Sequence, residues 1–135
     1  MIRWLDHTAD VRLEIVSETV EGLYADFVEG LKRLLVTGDV RPAEAVEIEL
    51  DEPDSSDLLV SLGRQVLFYF NTSQFVPARF DITAVSPTHL RGRLWGEPFD
   101  PDRMAFHLEV KGVTYHDLEV KEENGEWKAR VTFDV

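Results

Sequence analysis

The dipeptide Asn124-Gly125 constrains this chain more than any other feature. Both residue types accept the left-handed backbone of a two-residue hairpin turn, so strand-like runs flanking them must fold back on one another. Those runs are Phe106 to Lys121 and Trp127 to Val135. A two-residue turn pairs Glu123 with Glu126, and the numbers of every later pair then sum to 249. This register sets Val120 opposite Ala129, Leu118 opposite Val131 and His116 opposite Phe133 on one face. On the other face Glu119 meets Arg130, Asp117 meets Thr132 and Tyr115 meets Asp134. Apolar and polar faces separate, apart from the like-charge pair Lys121 and Lys128 near the turn.

Upstream, Val11, Leu13 and Ile15 alternate with Arg12 and Glu14, which predicts a strand over Val11–Val16. Thr19 is a helix cap with Glu21 in the first turn, and Val20, Leu23, Tyr24, Phe27, Leu31, Leu34 and Leu35 form one apolar stripe. Gly38 is placed to stop that helix. Val46, Ile48 and Leu50 alternate with Glu47 and Glu49 as a strand with one wet face. Asp54 or Ser55 caps a second helix, whose apolar residues run from Leu58 to Phe70 around more than half its circumference. Strands over Arg79–Val85 and His89–Trp95 meet at a Ser86-Pro87 turn, and the prolines of "GEPFDPDR" predict a loop. The order strand, helix, strand, helix, then four strands describes an α+β fold, with two helices packed on a mainly antiparallel sheet in a single domain over residues 1–135.

Charge narrows the function. The 26 acidic residues exceed the 14 basic ones by 12, and Pro42 to Gly63 carries seven acidic residues and no basic one. A nucleic-acid binder neutralises phosphates with clustered Lys and Arg, so direct high-affinity contact with RNA or DNA is not expected. The chain has no cysteine, which excludes disulfides, thiolate catalysis and Cys-based zinc sites. With no membrane-length apolar run and no secretory pattern at the N-terminus, the expectation is a soluble cytoplasmic protein. Phosphate loops, G-x-S-x-G elbows and H-E-x-x-H pairs are all missing.

The remaining chemistry is acidic. "DHTADV", Asp6 to Val11, puts two carboxylates and a histidine just before the first predicted strand. If that strand lies beside the C-terminal hairpin, Asp10 meets Asp134 and the α-carboxylate of Val135. Two carboxylates with a terminal or backbone oxygen suit calcium or magnesium better than zinc. The plainer alternative is that Asp10 caps a turn while Asp134 pairs with Lys111 or an arginine. His116, on the apolar face, reads as a hydrogen-bonded core residue with Thr114 as its partner, unless a bulge at Gly112 changes that facing, while His7 is either a ligand or a turn-stabilising residue. His89 and His107 lack acidic neighbours at useful spacing and read as surface residues.

Four segments in order, "DHTADV", "RLWGEPFDPDR", "EVKGVTYHDLEV" and the final "VTFDV", together resemble the archease family along the whole chain. The resemblance implies a compact two-layer α+β domain that is not itself an enzyme but an activator of an RtcB-type RNA-splicing ligase. It would promote guanylylation of that ligase and multiple-turnover ligation in tRNA splicing. By the same resemblance, Asp10, Asp134 and Val135 would ligate calcium, with magnesium as the alternative ion. Asp6 and His7 would support the site, and Lys111 would lie on the functional surface or balance the carboxylates. Arg12 and Gly112 stand where many family members carry Gly and Ala. Two rival readings are a chaperone-like modulator of a tRNA-modifying methyltransferase and a metal-dependent hydrolase using Asp10 and Asp134. The hydrolase lacks a convincing general base beside its carboxylates.

Overall fold

A computed structural model describes residues 1–5 and 10–135. Its elements in chain order are β1 (Ile2–Leu5), β2 (Asp10–Ser17), α1 (Val20–Leu35), β3 (Val36–Gly38), β4 (Glu44–Asp51), α2 (Ser55–Ser73), β5 (Phe75–Val85), β6 (His89–Pro98), β7 (Met104–Phe106), β8 (Gly112–Glu123) and β9 (Glu126–Asp134). Each strand pair among the described residues is antiparallel. The strands form three sheets, with orders β1-β2-β9-β8, β4-β6-β5 and β3-β7. Two helices on antiparallel sheets make the α+β architecture that the alternation and the apolar stripes predict.

Capping sets where the helices begin. The Thr19 side chain accepts from the Gly22 N–H at 3.0 Å, and Asp54 Oδ1 accepts from the Asp57 N–H at 2.8 Å. Helix α1 turns Leu23, Tyr24, Phe27, Val28, Leu31, Leu34 and Leu35 inward and packs on β2 and β5. Helix α2 lies over β8 and β5. It comes so close that a Cβ on Gly63 would stand 2.6 Å from Val113 Cγ2 and 2.9 Å from Phe27 Cζ. Phe27 stacks on Phe133 of β9 with centroids 5.9 Å apart, tying α1 to the larger sheet.

Several expected boundaries move. Helix α1 ends at Leu35 rather than at Gly38, because Val36 is already extended and pairs with Phe106. Gly38, at φ +105°, instead closes the small β3–β7 ladder. Strand β6 runs on through Gly96-Glu97-Pro98, so the prolines of "GEPFDPDR" do not exclude strand there, and the loop shrinks to the turn before β7. Pro98 ends its strand, where a missing N–H costs least. The run from Phe106 to Lys121 is not one strand. It divides into β7 and β8, leaving Phe106 56% exposed.

The hairpin register also changes midway. From Glu123/Glu126 to Glu119/Arg130 the pairs sum to 249 as predicted, on Asn124 and Gly125 at φ 55° and 77°. Beyond them Thr114 pairs with Thr132, Val113 with Phe133 and Gly112 with Asp134, all summing to 246. Residues 115–118 therefore bulge out of β8, with Asp117 in the left-handed region at φ 53°. Val113, not His116, occupies the buried place opposite Phe133. His116 is exposed, and its backbone N–H reaches the predicted partner, Thr114 Oγ1, at 3.3 Å. His89 also differs from expectation, since its Nδ1 lies 2.8 Å from Asp51 Oδ1 across the β4–β6 ladder.

Candidate functional site

Strand β2 pairs with β9 along its full length, and the last pair in that register is Asp10 with Asp134. Directly opposed residues of an antiparallel pair project from the same face, so the two carboxylates share one edge of the outer sheet surface. Val135 follows Asp134 and packs against the core rim. On the other flank Gly112 pairs with Asp134, and the Lys111 N–H donates to the Asp134 carbonyl at 2.7 Å. The structure thus gathers Asp10, Asp134, Val135 and the backbone of Lys111. Asp6 and His7 lie outside the described residues.

Like charges set directly opposite each other on a sheet are destabilising unless something compensates them. Two residues back along the same face of β9, Thr132 is 1% exposed, and its Oγ1 has no hydrogen-bond partner among the described residues. Beside it across the β2–β9 ladder is Arg12, whose buried Nε also has none. The bulge of β8 explains the burial. Asp117 Oδ2 accepts from Arg12 Nη2 at 2.6 Å, so the bulge crosses the end of β9 and closes over Thr132. A pair of carboxylates next to an unsatisfied buried hydroxyl is an oxygen-rich donor set, and it fits a hard cation. Among the described residues no group of three His, Asp or Glu side chains assembles for a metal. A cation here would need Val135 or the Thr132 hydroxyl as a further oxygen donor.

Thr132, Arg12 and Asp117 escaped the sequence reading because the 249 register put Asp117 opposite Thr132 rather than over it. Beside Gly112 as a candidate bulge, the available signal was the polar run Thr114-Tyr115-His116-Asp117 between Val113 and Leu118, where an unbroken strand would have buried a histidine.

The "RLWGEPFDPDR" segment has a different task. Glu97, 8% exposed, accepts Arg103 Nη1 at 3.0 Å, Arg103 Nη2, and the Arg41 N–H at 2.5 Å. Arg103 also reaches Asp100 Oδ2 at 3.1 Å and the Asp39 carbonyl at 3.0 Å. The Arg103 hydrogen bond, aided by the Arg41 N–H, holds the Glu97 carboxyl below the usual range against the opposing effect of burial. This latch ties the end of β6 to the loop after β3.

Comparisons with known proteins follow the same lines. The chain is 34% identical to protein archease of Methanopyrus kandleri over 135 residues, covering 97% of this chain and 96% of that one. It is 30% identical to protein archease of Pyrobaculum islandicum over 138 residues, covering 98% and 94%. In three dimensions it resembles the solution structure of Methanobacterium thermoautotrophicum protein 1598, with a TM-score of 0.84, 25% identity, and 99% and 98% of the chains covered. A Thermotoga maritima crystal structure described as an archease and possible chaperone shares the fold, with a TM-score of 0.66, 20% identity, and 100% and 98% covered. With residues 3–135 matching the profile of the archease protein family, this chain belongs to that family.

Proposed function

We propose that this archease is an accessory activator of an RtcB-type RNA-splicing ligase, acting in the cytoplasm to promote guanylylation of the ligase and repeated turnover in tRNA splicing. The observation that carries this reading is the meeting of Asp10, Asp134 and Lys111 at one sheet edge in a chain of archease ancestry. Net charge supports it: with 26 acidic against 14 basic residues, the protein suits a basic enzyme better than that enzyme's RNA. Asp10, Asp134 and Val135 would hold calcium, or magnesium in its place, with the Thr132 hydroxyl beside them. A bound ion would supply positive charge between the facing carboxylates. The chain's own residues fix the rest. Register aligns the two carboxylates, the Lys111 N–H anchors the Asp134 backbone, and the Arg12–Asp117 pair shields the hydroxyl from water.

The test is transfer of labelled GMP to a ligase of this class under multiple-turnover conditions, with and without the protein. Stimulation at substoichiometric amounts is expected, and it should fall in Asp134→Asn. An active ligase that gains nothing from the protein, with cation supplied, overturns the reading. It would favour the second one, a chaperone-like modulator of a tRNA-modifying methyltransferase, which agrees with the description of the Thermotoga maritima structure as a possible chaperone.

A further inference from the structure

At the opposite end of β9 from Asp134, two adjoining cavities of about 310 and 440 Å³ share Ser55, Pro87 and Trp127. Asp134 lies seven residue steps along the strand from Trp127, or roughly 23 Å at about 3.3 Å per step, so this groove is distinct from the carboxylate pair. Four chain reversals converge on it: the starts of α1 and α2, the β5–β6 turn and the turn end of the β8–β9 hairpin. Its floor is apolar, made by Val20, Val85, Pro87 and the half-buried ring of Trp127.

The charge around that floor is mainly negative. Glu21, Asp54 and Glu122 are exposed carboxylates lining the groove. Lys121, the basic residue among the lining groups, is held by Glu119 at 2.7 Å and Glu123 at 2.9 Å. Among the described residues the fully buried Tyr24 hydroxyl has no hydrogen-bond partner, and Ser55 lines both cavities. The apolar floor therefore has a polar point at Ser55, where an occupant's backbone can bond.

We infer that this groove docks a basic, apolar-anchored peptide segment of a protein partner, with an arginine or lysine over Trp127 and the flanking carboxylates pairing its charges. An indole face is the strongest aromatic platform for a cation, and the apolar floor takes the neighbouring aliphatic side chain. Nucleic acid and anionic membrane are disfavoured, because Glu21, Asp54 and Glu122 repel phosphate. The groove does not need the ligase to be tested, and its failure would leave the activator reading untouched.

The experiment follows the Trp127 indole N–H by nitrogen–proton correlation spectroscopy of the whole protein. The probe is a blocked hexapeptide alternating leucine and arginine, with the glutamate-for-arginine peptide and a twelve-residue oligouridylate as controls. The arginine peptide is expected to shift the Trp127 resonance saturably and not those of Trp4 and Trp95, more weakly as salt is raised. The Glu21→Gln/Glu122→Gln double variant, changed only at exposed positions, is expected to bind roughly threefold to tenfold more weakly. The inference is overturned by no shift at Trp127, by an equal shift with the glutamate peptide, or by undiminished binding of the double variant. A shift with oligouridylate would overturn it in favour of a nucleic-acid groove.

Discussion

Replacing Glu97 with Gln keeps the shape of the side chain and removes its charge, which isolates what the carboxylate does. Its two oxygens accept three donors, two from Arg103 and the Arg41 N–H, in a site only 8% exposed. Glutamine offers one acceptor oxygen and sets an NH₂ group against an N–H donor, so at least one buried donor loses its partner. Hydrogen bonds to charged groups contribute about 1.5–3 kcal/mol, and an orphaned donor adds to the loss, so Glu97→Gln should cost about 2–3 kcal/mol at pH 7. In a domain of this size that corresponds to a fall in Tm of roughly 10 °C. The cost should depend on pH with a definite sign. Glu97 titrates below its unfolded value, so its contribution is complete above about pH 4.3 and is lost as pH falls through the lower folded value. Denaturant unfolding of both proteins at pH 7, 5 and 3 measures this directly. The gap should hold from 7 to 5 and narrow by 3. A cost under about 0.5 kcal/mol at pH 7, or a gap constant down to pH 3, would refute the reasoning.

Three further outcomes can be measured with the same equipment. Calcium should raise the Tm of the natural protein, by about 2.7 kcal/mol of stability at a hundredfold excess over Kd, and should do far less for Asp134→Asn; equal shifts would detach Asp134 from the cation. Phe133→Ala empties the fully buried place stacked 5.9 Å from Phe27 and should cost about 3–5 kcal/mol in denaturant unfolding. Combined with Phe27→Ala, it should cost less than the sum of the two single losses. Gly96→Ala would set a Cβ 2.0 Å from the Val76 carbonyl oxygen, so β5 and β6 must part and stability should fall by at least about 2 kcal/mol.

Local chemistry decided which elements were legible beforehand. Thr19 and Asp54 show in the sequence because a cap needs only its own side chain and an N–H three residues on. The start of the hairpin shows because Asn-Gly fixes both turn and register at once. Strand β1 and the β3–β7 pair stayed hidden. Runs of three or four residues carry no period, and β3 and β7 hold their place only through long-range pairing.

The bulge is the most informative failure, since both possible registers satisfy part of the pattern. Continuing at 249 keeps the ladder unbroken, yet it places His116 in the core opposite Phe133. Shifting to 246 leaves four residues facing one but buries Val113 there, only 6% exposed. A shift by an odd number of residues exchanges the two faces of a strand, so any core gain at Val113 necessarily expels His116. The displaced residues then find work on the outer surface, where Asp117 reaches Arg12 across β9 and covers Thr132. Neither single-strand periodicity nor the turn encodes that contact. It arises from three strands together, at the place where Asp10 and Asp134 face each other. The carboxylates of the candidate site were therefore readable from the sequence, whereas the buried hydroxyl beside them became visible only once the register was known.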